Sequence, residues 1–274
     1  MLGAVIGDIA GSRFEWENIK TKDFELLHPA CRMTDDSLMT LAVAQAILDS
    51  RTDRSDLPEK AVFRMQTIGR RFPDCGFGGR FARWLQDPAP RPYGSYGNGA
   101  AMRVSPCGFA ASSLEEAKAL SRAVTAVTHD HPEGMKAAEA TACLIYLART
   151  GKNKNELRDF VREHYYQLDF TLDEIRPAYH FDVSCQGSVP QAIEAFLESE
   201  SFEDAIRNAV SIGGDSDTIA AIAGGMAEAF YGIPDRLRRR AMEFVTDGQL
   251  RRILRDFEDR FPGKSSESSE SVRL

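Results

Sequence analysis

At 274 residues, 43% hydrophobic and 27% charged, the chain is long enough to bury a large core as one domain or two small ones. A formal net charge of −7 excludes a nucleic-acid backbone as main partner, because that needs a cationic face; only a local basic pocket remains open. Five singly scattered cysteines, Cys31, Cys75, Cys107, Cys143 and Cys185, show no Cys-x-x-Cys or paired Cys/His spacing. They exclude zinc-finger and thioredoxin-type sites and read as free thiols of a reducing compartment. No basic leader precedes the early apolar run, which Asp8 interrupts, and no stretch reaches membrane-spanning length. The expectation is a cytoplasmic monomer that meets no membrane.

Taken in chain order, small residues at 3, 4, 7, 10, 11 and 12 predict a close-packed first helix with Glu15 at its end. The Gly3-x-x-x-Gly7-Asp8-x-x-Gly11 pattern follows no strand, so it fails as a dinucleotide fingerprint. Apolar residues then recur at helical spacing over 36–49, 57–70, 77–86, 114–127, 133–149, 153–166, 187–198, 202–211, 216–230, 234–245 and 248–259. Pro58, Pro132 and Pro234 mark helix starts, and Gly151 marks a stop. Period-2 strands are nearly absent, so the fold class is all-α. Composition holds steady over 1–262, which predicts a single domain, and the Ser/Glu-rich 263–274 reads as a disordered tail. Trp16 and the phenylalanines are expected to fill the core.

Two acidic clusters stand out, Thr34-Asp35-Asp36-Ser37 and Gly213-Gly214-Asp215-Ser216-Asp217-Thr218, each opening into an Ala-rich helical stretch. Either alone reads as a helix N-cap. Neighbouring carboxylates, however, supply more negative charge than one cap uses, and they repel unless a cation lies between them. Two clusters of one design point to a shared site for a hard cation such as Mg²⁺, Mn²⁺ or Ca²⁺. Between them lies a turn rich in Pro and Gly, from Pro88 to Gly99, whose glycines permit close backbone approach to a phosphate or form plain turns. Thr128-His129-Asp130-His131-Pro132 precedes a helix and, on its own, reads as a solvated cap.

In order, Gly7-Asp8-x-x-Gly11-Ser12-x-x-Glu15, Thr34-Asp35-Asp36-Ser37, Gly97-Asn98-Gly99-x-x-Met102-Arg103, Thr128-His129 and Gly213-Gly214-Asp215-Ser216-Asp217-Thr218 resemble the motifs of the ADP-ribosylglycohydrolase family. The resemblance implies a compact helical fold around two Mg²⁺ or Mn²⁺ ions. The implied activity is hydrolysis of the bond to the anomeric carbon of ADP-ribose on a modified protein, releasing ADP-ribose. By position, Thr34, Asp35 and Asp36 would ligate one metal with Asp217; Asp215, Asp217 and Thr218 would ligate the second, joined by Glu15 from a mobile loop. Asp35, Asp36 and Glu15 are the implied catalytic carboxylates. Tyr96, Gly97, Asn98, Gly99, Ala100, Ala101 and Met102 would wrap the diphosphate, with Asp35 and His129 also contacting substrate. The segment Phe181-Asp182-Val183-Ser184-Cys185-Gln186-Gly187-Ser188 matches only loosely, so the resemblance assigns no leaving-group contact. An ADP-ribosyl-arginine linkage is the expected substrate. The alternatives are an O-linked substrate (a serine conjugate or O-acetyl-ADP-ribose) and a non-catalytic, immunity-type binder.

Overall fold

The computed structural model describes residues 1–263; the Ser/Glu-rich stretch expected to be disordered lies, from residue 264 on, outside them. The described residues form fifteen helices: α1 (Leu2–Gly11), α2 (Asp35–Asp49), α3 (Leu57–Gly69), α4 (Gly79–Gln86), α5 (Gly99–Met102), α6 (Ser105–Ala110), α7 (Leu114–Thr125), α8 (Pro132–Arg149), α9 (Lys154–His164), α10 (Leu172–Ile175), α11 (Cys185–Leu197), α12 (Phe202–Ser211), α13 (Ser216–Tyr231), α14 (Asp235–Ala241) and α15 (Gly248–Arg260). Extended pairing among them is limited to one bridge between Gly97 and Ser184. The all-α expectation holds. None of the described helices is long and apolar enough to cross a membrane.

Two central helices organise the rest. Every residue of α1 is buried, and α13 is buried along nearly its whole length, as expected of helices apolar on all sides. They pack backbone to backbone because one face of α1 lacks side chains. A β-carbon at Gly7 would overlap the Ala220 carbonyl, and one at Gly3 or Gly11 would overlap Gly224 or Ser216. Glu228 of α13 caps the start of α1, accepting the Gly3 N–H at 2.7 Å. Around this pair, α2 packs on α1 and α3, α11 and α12 pack on α13, and α8 bridges α6, α7 and α13.

Most boundaries follow the sequence signals. Thr34, Ser113, Asn153, Ser201 and Asp247 each cap a helix through a side-chain oxygen. The short helices α5, α6 and α10 were not predicted, since four to six residues give too few turns for a periodicity to register. The helix expected over 234–245 stops at Ala241. Trp16 corrects an expectation: it is 74% exposed, because α1 ends at Gly11 and the indole belongs to the loop beyond it.

The α1–α13 contact yields a direct prediction. Gly7→Val should cost about 3 kcal/mol or more, since overpacking against rigid backbone has no side chain to displace. Gly151→Ala, which meets open space at positive φ, should cost only about 1 kcal/mol. Urea unfolding of the two variants checks the contrast.

Candidate active site

The close approach of α1 and α13 brings Asp8, Asp36 and Asp217 together, with one carboxylate oxygen from each within 4.8 Å of the others; Glu15, Asp215 and Asp217 form a second such set. The two acidic clusters of the sequence therefore meet. Thr218 Oγ1 donates to Asp36 Oδ2 at 3.1 Å across 182 residues of chain. Asp35 and Asp36 lie in the first turn of α2, Asp217 in the first turn of α13, and Asp215 is the N-cap of α13. Both helix dipoles thus favour the negative charge.

Asp8 was named in the sequence motif but given no role. It accepts from Thr34 N–H at 3.0 Å, Thr34 Oγ1 at 2.7 Å, Ser37 N–H at 3.1 Å and the Ser37 hydroxyl. One buried carboxylate on α1 thereby fastens the first turn of α2. The only sequence signal for it was an acid inside a helix otherwise made of small and apolar residues.

Burial shifts every acid of the cluster upward, and neighbouring carboxylates add to the rise at Asp35, Asp36, Asp217 and Glu15. Burial, then the neighbouring Asp8, raises Asp35 to about 8. Burial, then adjacent carboxylates, holds Asp36 and Asp217 well above their usual range. Burial also raises Asp8, Asp215 and Glu15, and Asp215 adds to the rise at Glu15. Asp36 Oδ1 is buried with no hydrogen-bond partner. An orphaned carboxylate oxygen among oxygen-only donors is chemically matched to a hard divalent cation.

A cavity of about 500 Å³ opens over this cluster. Its far wall is cationic and aromatic. Arg80 lies over the Tyr93 ring at 4.8 Å, and Arg103 and His129 also line the wall. Arg103 is fully buried, its Nη2 donates to Thr128 Oγ1 at 2.6 Å, and its Nε has no partner. Burial without a facing carboxylate lowers Arg103 to about 10. Thr128 Oγ1 in turn lies 2.7 Å from His129 Nδ1. The guanidinium only donates, so the hydroxyl proton has two acceptors, His129 Nδ1 at 2.7 Å and Thr125 O at 3.4 Å; the shorter contact favours Nδ1 and so the imidazole proton on Nε2. Burial first, then Arg103 and Arg80, keeps His129 neutral by holding it well below its usual range. The ring is buried, not the solvated cap its sequence context suggested.

The ligand loop divides. Gly97, Asn98, Gly99 and Met102 line the cavity with His129, Asp35, Asp36, Glu15, Asp215, Asp217 and Thr218. Tyr96, Ala100, Ala101 and Thr34 do not. The exposed Tyr96 ring turns to His131, α5 rotates Ala100 and Ala101 into the core, and the Thr34 hydroxyl is spent on Asp8. The Gly97 N–H donates to Ser95 Oγ and the Asn98 N–H to Val183 O, so those two amides are engaged within the loop. Asn98 Nδ2 instead holds Asp215 Oδ2 at 2.7 Å.

The ADP-ribosylglycohydrolase model matches residues 1–267 of the chain. The chain belongs to the ADP-ribosylglycohydrolase family. It is 26% identical to ADP-ribosylhydrolase ARH3 of Homo sapiens, over 85% of this chain and 84% of the relative. It is also 26% identical to ADP-ribosylarginine hydrolase Tri1 of Pseudomonas putida, over 96% and 77%. The ADP-ribosyl-[dinitrogen reductase] glycohydrolase of Rhodospirillum rubrum is 27% identical over 74% and 70%. A solved ADP-ribosylglycohydrolase-related protein complex shares the fold, with a TM-score of 0.70 at 23% identity over 94% of this chain and 95% of that one. Family membership makes the protein an ADP-ribosylglycohydrolase enzyme and sets aside the non-catalytic alternative.

Two outcomes follow from the site's electrostatics. The raised carboxylates bind protons more tightly in the folded than in the unfolded state, so without metal the stability falls as pH rises from about 4 to about 8. Melting curves in EDTA should show that decline, and Asp36→Asn should flatten it. Thr128→Val, nearly isosteric, should leave the fold intact yet release the His129 proton from Nε2, which ¹⁵N NMR of the imidazole detects.

Proposed function

We propose that this enzyme hydrolyses the N-glycosidic bond of ADP-ribosyl-arginine in the cytoplasm, with a pair of divalent cations, Mg²⁺ or Mn²⁺. The observation that carries the proposal is the convergence of two oxygen-only donor sets sharing Asp217, with Asp36 Oδ1 left orphaned among them. Asp36 and Asp217, joined by Asp35 on the cavity wall, would hold one ion, the Thr34 hydroxyl being spent on Asp8; Glu15, Asp215, Asp217 and Thr218 would hold the other. Bound there, the ions would supply Lewis acidity and lower the pKa of a water at the site.

The chain's own residues supply position and proton transfer. Arg80, Arg103 and the His129 Nε2–H make the far wall suited to a diphosphate, and Gly97 and Gly99 leave it room. The ribose that carries the scissile bond then lies over the acidic cluster. Water oxygen bonds to the anomeric carbon as the carbon–nitrogen bond breaks. A carboxylate on the cavity wall, Asp35 or Glu15, takes the water proton and returns it to the leaving guanidine, a contribution of about 10²–10⁴-fold. Asp8 stays out of the chemistry and positions Asp35 and Asp36 by holding the turn that bears them. Arginine is favoured by the relative named as an ADP-ribosylarginine hydrolase, whose alignment spans 96% of this chain.

Defined conjugates assayed with Mg²⁺, Mn²⁺ or EDTA test the proposal. Free ADP-ribose should be released from the arginine conjugate only with metal. Asp217→Asn should lower kcat at least about 100-fold. At a hundredfold excess over Kd, metal should stabilise the wild type by about 2.7 kcal/mol. Turnover indifferent to EDTA, or confined to serine conjugates or O-acetyl-ADP-ribose, would overturn it.

A further inference from the structure

Five large apolar side chains are exposed among the described residues, and three of them, Trp16, Phe181 and Val183, sit on the rim of this one cavity. Clustering of that kind marks a contact surface, whereas scattered exposed residues need no explanation. Trp16 and Phe181 come from separate loops, yet their rings stack with centroids 4.9 Å apart and planes 26° from parallel. With Trp16 74% and Phe181 37% exposed, burial in the core does not account for the pairing.

Their place is set at both ends. Trp16 directly follows Glu15, whose carboxylate belongs to the acidic cluster. Phe181 heads a strap fixed to the ligand loop, with Asn98 N–H bonded to Val183 O and Cys185 N–H to Tyr96 O, each at 2.8 Å. The cavity lining holds Arg80, Arg103 and His129 as well as the carboxylates, and no carboxylate is among the charges acting on Arg103 or His129. With a diphosphate held by the cationic groups and the anomeric carbon over the carboxylates, as proposed above, the group attached to that carbon would face the part of the lining that Glu15, Trp16 and Phe181 share.

We propose, resting on the function proposed above, that Trp16 and Phe181 form a platform that receives the guanidinium of the modified arginine. A planar, weakly hydrated cation stacks on aromatic faces, and Glu15, hydrogen-bonded to the Trp16 side chain, places a carboxylate beside that ring. A serine oxygen offers neither a plane nor a charge to such a surface. The pair thus acts on substrate choice, with Trp16 also hydrogen-bonded to the Glu15 carboxylate.

The test compares kcat/KM on an arginine conjugate with inhibition by free ADP-ribose, which lacks the side chain. Trp16→Leu keeps apolar bulk but removes the ring, and should lower kcat/KM about tenfold. Trp16→Phe should restore most of that loss, and the ADP-ribose inhibition constant should stay within about twofold in both. A parallel loss of ADP-ribose inhibition would put Trp16 on the nucleotide and overturn the platform. So would an unchanged kcat/KM in Trp16→Leu, or equal losses in the Leu and Phe variants. Wild-type protein that leaves arginine conjugates intact while cleaving others sinks the proposed function itself, and the platform with it; that result is read before any variant is made.

Discussion

The backbone contact between α1 and α13 is the constraint on which the site rests. Helix pairs normally stand 8–10 Å apart because side chains separate them; here Gly3, Gly7 and Gly11 remove that spacer. The approach carries Asp8 to the start of α2 and sets the first turns of α2 and α13 side by side. Apolar packing elsewhere must offset the cost of burying these acids, because each like charge in a low-dielectric interior raises the free energy of its neighbours. Two helix N-termini and the donors Asn98, Thr34, Ser37 and Thr218 soften that cost without cancelling it.

The cavity separates its charges. Its lining carries both the carboxylates and Arg80, Arg103 and His129, and no carboxylate is among the charges acting on Arg103 or His129. Arg103 is unusual in being buried with no carboxylate facing it, since buried arginines are normally paired. Its charge, after burial, helps keep the imidazole neutral, and the Thr128 hydroxyl that it holds orients the ring. A fixed charge thereby controls a neutral donor, a more durable arrangement than a histidine whose protonation follows the solvent.

Much of this was legible in the sequence, for identifiable reasons. The two acidic clusters sit at helix starts, where capping chemistry makes boundaries readable, and their excess charge announced a shared site. The bare face of α1 was visible because small residues recur at helical spacing. Asp8 was missed because a lone acid in an apolar helix looks like an interruption, and only the fold reveals four donors around it. Trp16 was misjudged because an aromatic side chain reports nothing of whether its loop turns inward. Ala100 and Ala101 seemed equal to Gly97 and Gly99 within one motif, but α5 turns the alanines into the core while Gly99, at its start, and Gly97, before it, face the cavity.

The raised carboxylates have one further consequence. Asp35, raised to about 8 by burial and by Asp8, keeps its proton at neutral pH, and burial pushes Asp36 and Asp217 in the same direction. Any divalent cation that enters must expel such protons, so loading this site is an ion exchange rather than a simple addition. Its apparent affinity should steepen with pH, and its measured heat should depend on which buffer collects the released protons. The same pocket that disfavours bare charge would thus couple occupancy of the proposed ion site to the acidity around it.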